Sequence, residues 1–482
     1  MKSLYITTAI PYVNADPHVG FALELIQTDV VARYWKNAIG PDDVRFVTGS
    51  DENSLKNVLA AEKAGQAIEI FVEEHAAKFA ALNNLLGVDY DDFIRTREPR
   101  HLEGAQKLWS SCKPEDIYKK SYQGLYCVGC EQFYTEKECP DKICPEHKTE
   151  LEIIEEENYF FKLSNYQSQL EELIVNDQIK IVPESRKNET LSFIRGGLED
   201  FSISRSVERA KHWGVPVPGD QSQVMYVWFD ALSNYINALD YAKEGVLYQK
   251  FWNSDEVKRV HVIGKGILRF HAVYWPAMLL SAGIKLPNEI FVHGYVTAEG
   301  VKMSKSLGNV VAPQELVDEY GQEAVRYYLL REIPSHGDGD ISKKRLEERY
   351  AELANQLGNL ISRVAAMSEK YFEGQLDRPA LDWSTQYNLL EANMKKYDFK
   401  SYLDIIFEIV ARANEMTDKE APFKLVKTDP DRAKQVLSEL AEMIRFIGKG
   451  LLPIIPKTAE EILHRYEGDI ILTGEPLFPR RD

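Results

Sequence analysis

Residues 4–21 read Leu4-Tyr5-Ile6-Thr7-Thr8-Ala9-Ile10-Pro11-Tyr12-Val13-Asn14-Ala15-Asp16-Pro17-His18-Val19-Gly20-Phe21. The first seven form a short apolar run that predicts a buried strand, and a helical period follows from Val19 to Trp35. Residues 44–48 predict a second strand, followed by a long helical stretch after Asp51. Alternating strand and helix signals of this kind predict a parallel α/β sheet. From about Lys113 the texture changes to a Cys/Gly-rich region and an acidic run (Glu150, Glu152, Glu155, Glu156, Glu157), closed by Val215-Pro216-Val217-Pro218-Gly219. Residues 225–229, 260–263 and 289–292 again predict buried strands, so the sheet is split by an insertion. Five segments result: 1–113 and 225–292 as the two sheet halves, 114–224 as the insertion, 293–345 as a polar region, and 346–482 as a helical remainder.

The helical remainder opens with Leu346, Tyr350, Leu353, Leu357, Leu360, Val364, Met367 and Tyr371, spaced alternately four and three apart. That spacing predicts one apolar stripe along a long helix. Helical patterns over 397–418, 431–447 and 456–466 complete an all-α bundle.

Composition narrows the function classes. The chain has 482 residues, 44% of them apolar, with 58 Lys+Arg against 75 Asp+Glu for a net charge of −17. Such a chain does not coat nucleic acid or anionic membrane indiscriminately, and any polyanion must meet a local patch. Residues 258–345 form a net-positive window that holds Lys265, Arg269, Lys302 and Lys305. No apolar run reaches the roughly 18 residues of a membrane span, and the start lacks a signal-peptide layout, which predicts a cytoplasmic protein. Four of the five cysteines (127, 130, 139 and 144) cluster within a few turns of chain, a pattern suited to metal binding in a reducing compartment.

Three constellations carry chemistry. The predicted helix near His18 offers free backbone N–H groups and a positive dipole end to phosphates. Gly20 lets a flat base approach the backbone, and His18 has protons to donate to phosphate oxygens as their charge grows. Lys302-Met303-Ser304-Lys305-Ser306 supplies two ammonium groups for a pyrophosphate leaving group. Cys127-Val128-Gly129-Cys130 and Cys144-Pro145-Glu146-His147 have the CxxC and CxxH spacing of a closed, tetrahedral and therefore structural zinc site, with Cys139 an alternative to His147. On the long C-terminal helix Asn359 and Arg363 are four apart, hence on one face and off the apolar stripe. Amide and guanidinium groups projecting together suit splayed single-stranded bases.

Taken together, the His18/Gly20 and Lys302–Ser306 stretches resemble the two signatures of class I aminoacyl-tRNA synthetases. Over essentially the whole chain the resemblance narrows to the methionyl-tRNA synthetase family, in its single zinc-knuckle subgroup. It is carried by Ala9-Ile10-Pro11-Tyr12, Thr48-Gly49-Ser50-Asp51-Glu52, Tyr226-Val227-Trp228-Phe229-Asp230-Ala231, Ile267-Leu268-Arg269-Phe270-His271 and Trp275-Pro276-Ala277-Met278. The resemblance implies a Rossmann-like sheet split by a zinc-binding connective insertion, then an all-α anticodon-binding bundle. It implies a methionine pocket at Ile10, Tyr12, Trp228, Ala231, Tyr235, Ile267 and His271, supported by Trp275. Asp51 falls where the family binds the substrate ammonium, with Arg205 as the basic partner near it.

The ATP site implied by the family comprises His18, Gly20, Phe21, Gly264, Lys265, Lys302, Ser304 and Lys305, with His18, Lys302 and Lys305 acting in catalysis. The zinc ligands map onto Cys127, Cys130, Cys144 and His147. The anticodon contacts map onto Asn359, Arg363 and Phe423. Two positions depart from the family pattern: Phe21 replaces a second histidine, and Gly266 replaces an aspartate after Lys265. Homocysteine, one methyl smaller, is rejected in this family by cyclisation within the synthetic site. Implied partners are ATP with Mg²⁺, L-methionine and tRNA(Met), in a monomer with no membrane association. A tRNA-binding paralogue with impaired catalysis, or a nucleotidylyltransferase acting on another small molecule, are the competing readings.

Overall fold

The computed structural model describes residues 2–479 other than 130, 131, 135, 137, 146, 147, 299 and 303–310, and the side chains of 132, 133, 301 and 302 also lie outside it. The chain divides into two compact units, one of residues 1–17, 39–83 and 89–293, the other of residues 18–38, 84–88 and 294–482.

The first unit is built on a six-stranded parallel sheet. Its strands are β1 (Ser3–Thr8), β2 (Val44–Ser50), β3 (Asp92–Arg95), β4 (Lys180–Val182), β5 (Val257–Gly264) and β6 (Glu289–His293), in spatial order β3-β2-β1-β5-β6-β4. Every residue of β1 is buried, as a parallel sheet covered on both faces requires. Chain order runs outward from β1 through β2 to β3 on one side and from β5 to β6 on the other, so the pair β1/β5 is the topological switch point. Ile6 faces Val260 and Thr8 faces Val262 across it. In open sheets of this kind ligands bind beyond the carboxyl ends of the strands at that point.

Three elements of this unit differ from expectation. Residues 225–229 are not a strand: Asp220–Met225 ends one, and Val227–Leu232 is helical. A short apolar run cannot be assigned to strand or helix by periodicity alone. The region 114–224 also contributes to the main sheet, since Ile181 of β4 pairs with Ile290 of β6. The rest of that region forms an antiparallel four-stranded sheet, with Ile117–Cys127 running against Glu152–Phe161, and a three-stranded one that carries Arg205 opposite Val224. The helical stretch after Asp51 is broken at Gly65, whose φ of 66° ends helix Leu55–Ala64.

The second unit is mainly helical. Helix Val19–Ile39 belongs to it, together with Gln322–Glu332, Phe399–Glu420, Pro430–Leu451 and Pro456–Tyr466. Arg326, fully buried, is its polar hub: the guanidinium donates to Asp29 Oδ2 at 2.7 Å, Ile454 O at 2.8 Å and Leu86 O at 3.1 Å. The predicted apolar stripe is buried at Leu346, Leu353, Leu357, Leu360 and Val364. Its helix is not uniform, because a π-helical segment, Leu353–Gly358, joins Lys343–Glu352 to Asn359–Phe372.

Candidate active site

At the carboxyl ends of β1, β2 and β5 the first unit gathers the residues expected to form the methionine pocket. β1 delivers Ile10 and Tyr12, and Tyr12 is bridged to Asp51 at the end of β2, whose N–H donates to Pro11 O at 2.8 Å. Trp228 and Ala231 lie on helix Val227–Leu232, with Tyr235 on the next turn. Tyr12 meets Trp228 edge-on at 6.3 Å between ring centroids. Trp228 in turn lies flat on Phe270, with 3.8 Å between centroids and 3° between planes. Phe270 is not among the pocket residues read from the sequence, although it sits inside the stretch Ile267-Leu268-Arg269-Phe270-His271. Its pairing with Trp228 is a tertiary contact that no local spacing encodes.

Burial and hydrogen bonds keep the two histidines of this pocket uncharged. His271 lies in a π-helical segment, Phe270–Tyr274, where its Nδ1 is 2.9 Å from Ile267 O and its Nε2 is 2.7 Å from Tyr235 Oη. A carbonyl only accepts, so Nδ1 carries the proton and Nε2 accepts from the tyrosine. Burial pushes the His271 pKa down to about 4, and pushes His261 well below its usual range, with His271 and Arg259 adding to the latter effect. The Trp275 indole donates to His261 Nε2 at 3.3 Å, which leaves the ring proton on Nδ1, facing Thr7 Oγ1 at 2.9 Å. Both imidazoles are neutral near pH 7. Trp275 thus acts one layer behind the pocket.

Around Asp51, Asn53 N–H donates to the carboxylate at 3.2 Å and Asn57 donates to the Asp51 carbonyl at 3.0 Å. Glu52, next in sequence, is held by a bidentate pair with Arg95 at 2.7 and 3.0 Å. Arg205 is buried, donates to Tyr126 Oη at 2.9 Å and lies over the rings of Tyr126 and Tyr226. Lys56 stands 4.7 Å above the Tyr12 ring. Gly264 ends β5 and Lys265 opens the turn Lys265–Ile267 that leads to His271.

His18, Gly20 and Phe21 belong to the second unit. Gly20 N–H donates to His18 Nδ1 at 3.0 Å, so the imidazole proton is on Nε2 and free to be offered outward. A Cβ at Gly20 would fall 2.8 Å from His18 Cε1, so the glycine is required for the ring to fold back over the helix start. Phe21 is buried. Val19 N–H donates to Val311 O at 3.1 Å, which ties the start of this helix to the residue directly after 303–310. Lys302 ends the strand Val301–Lys302, whereas Ser304 and Lys305 lie outside the described residues.

Of the expected zinc ligands, Cys127 and Cys144 are buried, and Cys130 and His147 lie outside the described residues. Cys139 is also buried, within a separate small core of Leu125, Cys127, Tyr134, Cys139, Cys144 and Leu151. In the bundle, Asn359 and Arg363 are half-buried on Asn359–Phe372, and Arg363 pairs with Asp418 at 3.1 Å. Phe423 is 42% exposed, presented just after Ala421, whose φ of 44° is the left-handed turn that ends Phe399–Glu420.

Comparisons place this geometry among known proteins. A family model described as class I tRNA synthetases (M) matches residues 4–152 and 140–365. The chain is 40% identical along its full length to the methionine–tRNA ligase of Caldanaerobacter subterraneus, of which it covers 79%. It is 41% identical over 96% of its length to that of Brucella suis, covering 91% of it. The Mycobacterium tuberculosis methionyl-tRNA synthetase solved in complex with methionyl-adenylate is similar with a TM-score of 0.91 at 36% identity, over all of both chains.

Proposed function

We infer the activity from one premise: the chain belongs to the class I tRNA synthetase family of the methionyl type. It activates L-methionine with ATP to methionyl-adenylate and pyrophosphate, then passes methionine to the 3′ end of tRNA(Met), the initiator included. The observation that carries this reading is the aromatic-walled pocket with neutral histidines at the carboxyl ends of β1, β2 and β5. A thioether is apolar and polarisable, and each sulfur–aromatic contact contributes roughly 0.3–1.5 kcal/mol. Tyr12, Trp228, Tyr235 and His271, with Ile10, Ala231 and Ile267, provide such walls without a charge to desolvate.

In the mechanism we propose, Asp51 takes the substrate ammonium, and a methionine carboxylate oxygen attacks the α-phosphorus in line. The bond from that phosphorus to the bridging oxygen breaks, and pyrophosphate departs with its Mg²⁺. The His18 Nε2 proton, Lys302 and Lys305 meet the negative charge that grows on the leaving group. Gly20, Phe21, Gly264, Lys265 and Ser304 hold the nucleotide. The terminal adenosine hydroxyl of tRNA then takes the acyl group from the adenylate, with no covalent enzyme intermediate. Catalysis is positioning and charge stabilisation. Methionine-dependent ATP–pyrophosphate exchange tests the reading: robust exchange is expected, and none at saturating ATP and methionine overturns it.

Asn359, Arg363 and Phe423 are proposed to read the anticodon, with Phe423 as stacking platform. A zinc ion held by Cys127, Cys130, Cys144 and His147 is supported by the character of the knuckle: six buried side chains, three of them reduced cysteines, are too small a core to order themselves. The metal would be structural, replacing a hydrophobic core with coordination bonds. Purified protein should carry one zinc per chain that prolonged chelation removes with melting of the knuckle, and metal-free protein with an intact fold would refute the site. Loss of zinc on His147→Ala is expected; retention would make Cys139 the fourth ligand. Among the described residues no helix is long and apolar enough to cross a membrane, and we place the protein in the cytoplasm as a monomer.

A further inference from the structure

Behind Asp51 the first unit buries a polar cluster that the mechanism above leaves unused: Asn53, His101, Asp230 and Asn237. All four are 5% exposed or less. His101 lies in the first turn of helix Pro99–Ser111, where Asn237 Nδ2 donates to its carbonyl at 3.2 Å and approaches its Nδ1 at 3.4 Å. The other ring nitrogen, Nε2, is 3.8 Å from Asp230 Oδ1. The other Asp230 oxygen, Oδ2, accepts from Asn53 Nδ2 at 3.3 Å. Asn53 is also the residue whose backbone N–H holds the Asp51 carboxylate. Hydrogen bonds thus link Asp230 through Asn53 to Asp51, and His101 stands beside the far oxygen of Asp230 at ion-pair rather than hydrogen-bond distance.

The surrounding fold is shaped to admit it. Gly104, one turn along from His101, has no Cβ, and a Cβ there would lie 1.9 Å from Asn237 Oδ1. Asn237 is further locked by a 2.7 Å bond from its Nδ2 to Ser233 Oγ, and Ser233 bonds the Asp230 carbonyl. Burying a carboxylate costs several kcal/mol, and apolar packing at the same place is often at least as stable. A buried Asp beside a buried His therefore calls for a role other than stability. Asp230 also lies between Trp228 and Ala231, on the turn that forms the pocket wall.

We propose that Asp230, held by His101, is a positioning residue for the methionine ammonium. Through Asn53 it fixes the Asp51 carboxylate, and in a dry site its own charge adds to the negative potential where the ammonium must sit. The proposal rests on the assignment of Asp51 as the ammonium ligand. It assigns Asp230 no contact with the reacting atoms.

The test separates the ammonium from the rest of the substrate. Binding of L-methionine and of its desamino analogue, 4-(methylthio)butanoate, is measured by calorimetry without ATP for the native protein, Asp230→Asn and Asn53→Ala. Each variant should bind methionine about tenfold more weakly, the size of one lost charge-assisted interaction. The desamino analogue should change less than about twofold on the same scale. In exchange assays KM for methionine should rise with kcat and KM for ATP nearly unchanged. His101→Gln, which keeps an N–H donor, should stay near the native value where His101→Leu does not. Equal weakening of both ligands, or no weakening of either, overturns the proposal. If Asp230→Asn fails to fold, Asn53→Ala decides alone, since it cuts the link and leaves the His101–Asp230 pair in place. Native protein that binds neither ligand would sink the pocket assignment itself, a result distinct from loss of selectivity in the variants.

Discussion

Two π-helical segments occur among the described residues, and they serve opposite kinds of surface. Phe270–Tyr274 holds His271 at 1% exposure against Tyr235, whereas Leu353–Gly358 leads into Asn359 and Arg363, both half-buried. A π-turn inserts one residue into a helix and rotates the turns beyond it by about 100°, which makes it a way of re-aiming side chains without ending the helix. In the first case the re-aimed His271 is buried against Tyr235 with its proton held inward. In the second, Asn359 and Arg363 are presented, with exposed Phe423, on a bundle face. On the roles proposed above, the contrast follows from the two ligands: a thioether would be selected by desolvated contact, while bases would be read by donors and stacking surfaces that remain reachable. Changes in the pocket should therefore have large effects on activation, and changes on the bundle face should have smaller effects confined to tRNA.

The largest effect is expected from Trp228→Ala. It removes the wall stacked on Phe270 and edge-on to Tyr12, and hot-spot aromatics of this kind are worth about 2–4 kcal/mol, so KM for methionine should rise about 100-fold in pyrophosphate exchange. A rise below about threefold on that scale would break the contrast, because the wall would then be packing rather than recognition.

Acid should distinguish the regions next. His271 has its pKa lowered by burial from 6.5 to about 4, so the unfolded chain takes up a proton that the folded pocket refuses. Stability is then level above pH 6.5 and is lost as pH falls from there toward 4. At pH 5.5 the folded-to-unfolded ratio should be about tenfold lower from this group alone, with His261 adding to it. In the second unit His336 and His464 are exposed, and His18, whose pKa burial also lowers, sits at a helix start rather than in a core. Near-UV circular dichroism of the pocket tryptophans should therefore fade in acid before far-UV helix signal does, and simultaneous loss would contradict the assignment.

How much of this is legible in the sequence depends on the kind of signal. Ile10, Tyr12, Asp51 and His271 are named in the sequence only through the family resemblance; the sheet brings Tyr12 and Asp51 together because both follow the ends of neighbouring parallel strands. The strand β4 escapes notice because three residues, Lys180–Val182, carry too little pattern to stand out inside an insertion. The π-turn at Leu353–Gly358 is invisible because Leu353, Leu357 and Leu360 keep ordinary four-and-three helical spacing across it. Asn53, His101 and Asp230 escape for a different reason: a buried polar residue looks like a surface one until its partners, here up to 177 positions away, are brought in. Ser304 and Lys305 are readable only as sequence, since they lie outside the described residues.

On the bundle face, Arg363→Ala and Phe423→Ala should each lower kcat/KM for tRNA charging about tenfold, the range for one base contact or one stacked base. Exchange without tRNA should stay at the native rate, which separates this face from Trp228. An equal fall in exchange would mean that these residues support the fold rather than read RNA.

The smallest effect concerns Asp418, and its sign is the informative part. Its carboxylate is 70% exposed and pairs with Arg363 at 3.1 Å, so an incoming base must displace it before the guanidinium is available. Exposed pairs contribute only about 0–1 kcal/mol, so Asp418→Asn should leave the melting temperature unchanged and strengthen tRNA binding by about twofold to fivefold. The gain should vanish in the Arg363→Ala background, because the pair then has no cation to release. A loss of tRNA affinity in Asp418→Asn would instead show that the carboxylate orients Arg363 for reading. The pair would then be part of the recognition surface, and the bundle face would resemble the pocket in being pre-set by its own charges.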